Sequence, residues 1–454
     1  MVKTRDYSDI FKAYDIRGEY PKQLDKKFAY ELGRAFVVFT QAKEVAVGFD
    51  GRTSGKSLFE GLTKGIMDQG ADVINFGLIS TPQCYFSMNQ DKYDAGIMIT
   101  ASHEPKNFNG FKLLSKKAKP IYSENGSLEI LELITKGKFD SVKKKGKLKK
   151  KDWSKEYLNF LVGKFSSNKK ALDKITEFKL IVDQSNGSGI VEVQALQKIF
   201  KKMKVLNGKV SGSFPGHVPD TTKIENRKKL IVEVKKSKAD LGIIFDGDAD
   251  RVAIIDEKGN TVRPDVVLNI FCEDLKRDST IVYDTRSSLA IKDFCERRGL
   301  RGIMSKAGRT YIQEVMIKEK AELAAEDSGH FFFKEFFCMD SAGIAAIKLL
   351  NKLLASEEPL SALAERNTSY HHSGEINFKV KNQSKAFLLV EQAFYDAKKT
   401  LFIDGISVYY EDYWFNVRKS NTEDKIIRIN AEANEESKLQ DVLRKLNNIM
   451  ALAK

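Results

Sequence analysis

At 454 residues with 42% hydrophobic content, the chain is too long for one core and calls for about three or four domains of roughly 100 to 150 residues each. It holds no apolar run of about 18 residues and opens without an apolar signal stretch, and its four cysteines (Cys84, Cys272, Cys295, Cys338) form no Cys-x-x-Cys pair, which argues against membrane spans and zinc sites and predicts a cytoplasmic protein. The formal net charge of +14 raises nucleic-acid binding, but the excess lies in scattered lysines, so a nucleic-acid partner is not expected.

Strand-like and helix-like stretches alternate in chain order, the pattern of α/β units with buried sheets. Residues 44–49 predict a strand, followed by Asp50-Gly51-Arg52-Thr53-Ser54 and an amphipathic helix over 58–69. A second strand at 73–77 closes on Thr81-Pro82, and a third at 95–99 delivers residues 100–105 at its C-terminal end, where α/β folds place ligand loops. Ser102 stands in that loop, beside His103 and near Lys106 and Lys112. It reads as a nucleophile, as a phosphoserine whose phosphate would be a metal ligand, or as a plain turn serine. The lysine-rich run 143–151 reads as a solvated linker.

A second unit starts with a strand over 178–183 that enters the turn Asn186-Gly187-Ser188-Gly189 and a helix, and a later strand spans 240–245. Next comes Asp246-Gly247-Asp248-Ala249-Asp250-Arg251, three carboxylates at alternate positions between two short apolar runs. Like charges this close repel and raise one another's pKa unless a cation gathers them, and an all-oxygen donor set suits a hard ion, Mg²⁺ or Ca²⁺. An EF-hand calcium loop also spaces its acids this way, with Glu257 in the closing position, but its sixth position needs Gly where Arg251 stands, and its flanks must be helices. A solvated acidic turn is the remaining alternative.

From about Gly259 a third unit predicts a strand over 280–284 and helices over 289–298 and 342–355. Its loop Glu326-Asp327-Ser328-Gly329-His330 offers a carboxylate and a hydroxyl for sugar hydroxyls, and an imidazole for proton transfer. After about residue 369 the pattern shifts to strands at 405–410 and 425–429 and helices at 384–399 and 436–451, a small α+β domain. Its loop Arg418-Lys419-Ser420-Asn421-Thr422-Glu423 has cations, hydroxyls and an amide suited to a phosphate dianion. Each loop alone has an ordinary surface-turn explanation.

Taken together and in this order, the loops resemble the α-D-phosphohexomutase superfamily, in its phosphomannomutase/phosphoglucomutase branch. The resemblance runs from Tyr14-Asp15-Ile16-Arg17-Gly18 through Gly48-Phe49-Asp50-Gly51-Arg52, the Ser102 loop, the aspartate loop and Glu326 to His330, ending at Arg418 to Glu423. It implies an α/β fold of four domains: three related α/β domains with mixed sheets and a small C-terminal α+β domain around a central cleft. The expected limits are 1–150 with the phosphoserine loop, 151–258 with the metal loop, 259–368 with the sugar loop and 369–454 with the phosphate loop.

The resemblance further implies reversible conversion of hexose 1-phosphate to hexose 6-phosphate, with mannose, glucose or both as the sugar. Ser102 would carry the phosphoryl group, Mg²⁺ would lie between it and Asp246, Asp248 and Asp250, and a hexose 1,6-bisphosphate would serve as intermediate and activator. Arg17, Arg251 and Lys112 would offset the spread charge, with Arg251 steadying the serine loop. His330 or Lys112 would take the proton of the attacking hydroxyl, supported by His103. Substrate would be held by Tyr14, Arg17, Arg286, Arg309, Glu326, Ser328 and His330, and by Arg418, Ser420, Asn421 and Thr422. A monomer acting on a small phosphosugar is expected.

The chain departs from the branch's pattern where Glu104 replaces the usual Asn, where Arg286 and Arg309 replace Lys and His, and where Asp424 replaces Pro. Glu104 is expected to point outward or to pair with a lysine such as Lys106. Two further readings stand beside the main one: a phosphoglucosamine mutase, opposed by Asn421 where that branch has Gly, and a catalytically silent sugar-phosphate or nucleic-acid binding scaffold.

Overall fold

The structure, a computed structural model, describes residues 6–166, 173–420 and 425–453, and its elements are counted among these. It divides into two units, Met1–Val262 with Ser328–Ser361, and Arg263–Asp327 with Ala362–Lys454. No helix among the described residues is long and apolar enough to cross a membrane.

The first unit opens with a seven-stranded mixed sheet: β1 (Ile16–Glu19), β2 (Glu44–Phe49), β3 (Asp72–Leu78), β4 (Ala95–Ile99), β5 (Phe108–Ser115), β6 (Pro120–Ile121) and β7 (Leu148–Lys150), in the order β1-β5-β4-β2-β3-β7 with β6 beside β5. β4 is buried along its whole length, which is why its sequence is continuously apolar rather than alternating. The helices Lys26–Thr40 and Gly55–Asp68 pack against each other so closely that a Cβ on Gly33 would lie 2.3 Å from the Leu62 carbonyl oxygen, and one on Gly65 2.0 Å from that of Tyr30. Asp25 starts the first of these helices by accepting the Phe28 N–H at 2.7 Å.

The lysine-rich run is not a free linker. Residues 148–150 form the edge strand β7, parallel to β3, and Lys149 pairs with Glu44 and Asp72 at 3.1 and 2.8 Å. An edge strand tolerates lysines because its outer side faces solvent and the charges discourage further pairing.

A five-stranded sheet follows in the order β12-β11-β10-β8-β9, from β8 (Leu180–Asp183), β9 (Met203–Leu206), β10 (Leu241–Phe245), β11 (Val252–Ile255) and β12 (Thr261–Val262). β10 runs parallel to β8 and antiparallel to β11, so the aspartate loop is the turn of a hairpin between two strands. That geometry excludes the EF-hand, whose loop joins helices. Glu257 is committed elsewhere, accepting bonds from the Ser361 amide and hydroxyl. The unit is completed by the hairpin β16 (Phe331–Phe333) and β17 (Met339–Asp340) and by the helix Ala342–Ala355, which occupies its expected limits.

In the second unit, β13 (Thr280–Asp284) pairs in parallel with β14 (Arg301–Ser305) and β15 (Leu323–Ala325), and the helix Leu289–Arg298 follows β13. Its C-terminal part is an antiparallel sheet of β18 (His371–His372), β19 (Ile376–Lys379), β20 (Lys399–Leu401), β21 (Ile406–Tyr409), β22 (Tyr413–Lys419) and β23 (Ile426–Ala433). Helices Gln383–Ala393 and Glu436–Leu452 share a core with this sheet, Val390, Leu446 and Met450 meeting Phe415, Val417 and Ile429. The first of these helices was expected to reach 399. It ends at Ala393, and residues 399–401 become β20, because β21 supplies backbone partners that local periodicity does not reveal.

Candidate active site

The first unit gathers the C-terminal ends of β2, β4 and β10. Ser102, in the loop after β4, has φ of 52°, a left-handed conformation unusual for a residue with a Cβ, and is 1% exposed. Its amide donates to Thr100 Oγ1 at 2.8 Å, and the Thr100 hydroxyl donates to Asp50 Oδ2 at 2.7 Å. Arg52 holds the rest of the loop: Nη2 donates to the carbonyls of Ser102 and Glu104 at 2.8 and 2.6 Å, and Nη1 to those of Pro105 and Phe108 at 2.6 and 2.9 Å. Asp50 accepts from Arg52 Nε at 3.2 Å. Gly247 is required by the close approach of the two loops, since a Cβ there would stand 2.5 Å from the Ser102 carbonyl oxygen.

Ser102 Oγ donates to Asp246 Oδ2 at 2.7 Å and lies 3.4 Å from His103 Nδ1. Asp246, Asp248 and Asp250 are all buried, and one carboxylate oxygen from each comes within 4.8 Å of the others. Asp246 Oδ1 accepts from the amides of Asp250 and Arg251, both at 3.2 Å, which shapes the turn. Lys112, on β5 and 1% exposed, reaches Asp248 Oδ2 at 2.6 Å and Asp250 Oδ2 at 2.5 Å. Thr81 donates to the same Asp248 oxygen at 2.5 Å, while Asp248 Oδ1 is buried without a hydrogen-bond partner.

The electrostatics follow from this packing. Burial, with Asp250 and Asp248 beside it, pushes the Asp246 carboxyl well above the usual range. Burial acts the same way on Asp248 and Asp250, but Lys112 holds both below it, helped at Asp250 by His330. Two of the three acids converge on one ammonium, and Asp248 and Asp250 each keep a buried oxygen without a hydrogen-bond partner. That donor set, all oxygen with an unsatisfied acceptor, fits a hard divalent cation.

His330 is 3% exposed and its Nδ1 lies 2.8 Å from Ser328 Oγ. Its Nε2 is 3.3 Å from Arg251 Nε, 3.3 Å from Asp250 Oδ1 and 3.5 Å from Asp340 Oδ2. A neutral ring protonated on Nδ1 accepts from Arg251; a protonated ring donates to the carboxylates. Both states find partners, as a proton carrier requires. Burial, then the nearby Arg251 and Arg17, hold the His103 ring well below its ordinary value, so it is neutral. Lys112 is bound as an ammonium between two carboxylates, an arrangement that opposes the role of proton acceptor and favours His330.

Arg17, on β1, binds Asp15 at 2.8 Å and Glu104 at 3.5 Å. Glu104 therefore faces Arg17, and the expectation that it points outward or pairs with Lys106 is corrected: the loop held by Arg52 turns that side chain toward β1. Tyr14 is half-buried in the segment leading into β1.

In the second unit Arg286 is buried at the end of β13, bonded to Asp284 Oδ2 at 2.5 Å and to Glu326 Oε1 at 3.0 Å. The planar guanidinium thus bridges two carboxylates. Burial alone would lower it, but Asp284 and Glu326 raise it well above its ordinary value. Arg309 is buried at the start of the helix Arg309–Glu319. Arg418, on β22 and buried, pairs with Glu375 at 2.6 Å, which also pairs with Arg428 at 3.2 Å. Ser420 donates its amide to the Ile426 carbonyl at 3.0 Å. Asn421 and Thr422 lie outside the described residues, as do Glu423 and Asp424.

Arg52, Thr81, Asp340 and Glu375 carry structural parts that no sequence motif assigned them. For Arg52 a signal existed, since Asp-Gly-Arg directly follows a strand; the others are brought in by contacts distant in sequence.

Four family descriptions match successive stretches: phosphoglucomutase/phosphomannomutase alpha/beta/alpha domain I over residues 8–141, domain II over 155–259, domain III over 263–370 and the C-terminal domain over 375–449. A phosphomannomutase of Methanocaldococcus jannaschii is 38% identical over 452 residues, covering 97% of each chain. A phosphomannomutase/phosphoglucomutase of Pseudomonas syringae pv. tomato is 36% identical, covering 94% of this chain and 92% of that one. Among solved structures, a phosphoglucomutase/phosphomannomutase family protein of Burkholderia thailandensis superposes with a TM-score of 0.87 at 28% identity, over 98% of this chain and 97% of that one. With all four domains matched in order and identity above 30% along nearly its whole length, the chain belongs to the phosphoglucomutase/phosphomannomutase family.

Proposed function

We propose that this enzyme interconverts hexose 1-phosphates and hexose 6-phosphates, with mannose and glucose as its sugars, through phosphorylated Ser102 and a bound hexose 1,6-bisphosphate. The observation that carries this reading is the placement of Ser102 Oγ 2.7 Å from Asp246, in a loop braced by Arg52. Asp246, Asp248 and Asp250 would hold Mg²⁺ together with an oxygen of the Ser102 phosphate. When bound, the ion supplies charge neutralisation at the transferring phosphoryl group.

In the forward half-reaction the bond between Ser102 Oγ and phosphorus breaks as a new one forms to the 6-hydroxyl of hexose 1-phosphate. The hydroxyl proton passes to His330, and the product is the 1,6-bisphosphate. After the bisphosphate turns over, Ser102 takes the phosphoryl group from C1, and His330 returns the proton to the departing oxygen, leaving hexose 6-phosphate. Arg17 and Arg251 offset the spread charge. Glu326 and Arg286 hold sugar hydroxyls, and Arg309 and Arg418 supply cations for the phosphate that does not react. Free bisphosphate acts as an activator because it can restore the phosphate on a Ser102 that has lost it.

The test is a mutase assay with glucose 1-phosphate, mannose 1-phosphate and glucosamine 1-phosphate in parallel, each primed with a trace of its bisphosphate. Conversion of the first two that EDTA abolishes is the expected result. Ser102→Ala should lower turnover by about 10³-fold or more, the loss of a covalent nucleophile. A Ser102→Ala enzyme that keeps its turnover refutes the phosphoserine route.

A further inference from the structure

Glu192, in the first turn of the helix Ile190–Ile199, is 1% exposed and belongs to none of the loops described above. Burying a carboxyl is costly unless its neighbours satisfy it, and Glu192 Oε1 accepts from Ser80 Oγ at 2.5 Å and from the Tyr157 hydroxyl at 3.0 Å. Its surroundings leave little slack: a Cβ on Gly343, in the helix Ala342–Ala355, would come within 2.8 Å of Glu192 Cγ. Burial lifts its carboxyl to about 7, so the cost of placing it here is substantial.

The partner Ser80 leads directly to the aspartate loop. Ser80 Oγ accepts the Gln83 amide at 3.1 Å and caps the helix Thr81–Met88. The next residue, Thr81, grips Asp248 twice, its amide donating to the Asp248 carbonyl at 2.9 Å and its hydroxyl to Asp248 Oδ2 at 2.5 Å. Asp248 Oδ1, the oxygen Thr81 does not bond, is buried without a hydrogen-bond partner. A continuous path of hydrogen bonds and one peptide link runs from Glu192 through Ser80 and Thr81 to Asp248.

We propose that Glu192 is a positioning residue for the cation site: it fixes Ser80 and the first turn of the helix Thr81–Met88, so that Thr81 occupies one oxygen of Asp248 and leaves the other for a divalent cation. The proposal rests on the reading that the three aspartates hold such a cation. Outer-shell partners of metal ligands commonly act in this way, by orienting a ligand rather than touching the ion.

The experiment is a titration of the full-length protein with Mn²⁺, followed by electron paramagnetic resonance of the free ion, which reads binding without catalysis. Glu192→Leu and Ser80→Ala should each weaken Mn²⁺ binding about 10-fold, while Glu192→Gln, which keeps an acceptor oxygen, should stay within about 2-fold of the parent. Thr81→Val should also weaken binding about 10-fold, and its combination with Glu192→Leu should be no weaker than Thr81→Val alone, because both act on one path. Parental Mn²⁺ affinity in Glu192→Leu, or losses that multiply to about 100-fold in the double variant, overturns the proposal. Should Glu192→Leu fail to fold, Ser80→Ala, which removes only a hydroxyl, decides the matter by the same comparison. A purely structural defect would lower the unfolding midpoint and leave Mn²⁺ affinity unchanged. Absence of Mn²⁺ binding by the parent protein, or its persistence in Asp248→Asn, would instead overturn the reading of the aspartates, and the proposal with it.

Discussion

Arg52→Lys is the most demanding test of how the serine loop is held, since it preserves charge and removes only geometry. Arg52 uses each of its five N–H donors once, four on the carbonyls of Ser102, Glu104, Pro105 and Phe108 and one on Asp50. It also lies 5.0 Å from the centroid of the Phe214 ring. A lysine has three donors on one atom, so at least two acceptors lose their partner. A buried acceptor left unmade costs about 1–3 kcal/mol and a part-buried one less, and three of the four loop carbonyls are part-buried, so about 2–6 kcal/mol is the upper range of the loop's destabilisation.

Ser102 adds to the strain, because its left-handed backbone costs about 1–2 kcal/mol that the clasp sustains. With the clasp weakened, Ser102 should sample other conformations and lose its alignment with Asp246. The expected kinetic result is a fall in kcat of about 10²-fold, the usual penalty for displacing a reacting group by about 1 Å, with a smaller change in KM. Hydrogen exchange read by mass spectrometry over residues 100–110 should show faster exchange in the same variant. A lysine variant with parental kcat and parental exchange in that segment would show that the serine loop does not depend on the guanidinium.

Other residues give sharper but smaller effects. Arg286→Lys keeps the charge but loses the bridge between Asp284 and Glu326, so KM for the phosphosugar should rise about 10-fold with kcat nearly kept; unchanged KM would remove the fork from substrate binding. Glu104→Gln relieves Arg17 of one of its two carboxylates. Because that pair is long at 3.5 Å and partly exposed, KM should fall only about 2- to 3-fold at low salt and the difference should vanish at high salt, and a salt-independent change would point to another cause.

Glu192 also sets a pH dependence of stability. Its carboxyl titrates at about 7 in the fold against 4.5 ordinarily, so between these values the folded protein retains a proton that the unfolded chain has released. Its contribution is fully present below pH 4.5 and is lost as pH rises to 7, by up to about 3 kcal/mol. Urea midpoints of Glu192→Gln should lack that decline, and a parallel pH profile in both proteins would contradict the assigned titration.

The parts that could be read from the chain alone are those written in local periodicity and adjacency. Continuous apolar runs announced β4 and β10, because strands covered on both faces need no polar alternation. The helices 289–298 and 342–355 have the limits expected of them, and in the structure Ser288 and Ser341 cap them. The crowding of Asp246, Asp248 and Asp250 marked a cluster that could hold a cation, because like charges this close repel unless something gathers them, and the fold buries all three together.

What the linear chain could not contain is which distant groups satisfy these residues. Glu104 meets Arg17 across 87 positions, Lys112 meets Asp250 across 138, and Ser80 meets Glu192 across 112. Such pairs are decided by which strand ends the sheets bring together, and no local propensity encodes them. The same holds for Arg52, whose four Nη donors find the serine loop only because β2 and β4 lie side by side. Sequence determined the chemistry on offer at each loop. Tertiary structure decided the pairing, because the low dielectric of the interior makes an unpartnered buried charge too costly to leave, and only the folded chain brings its partner within reach.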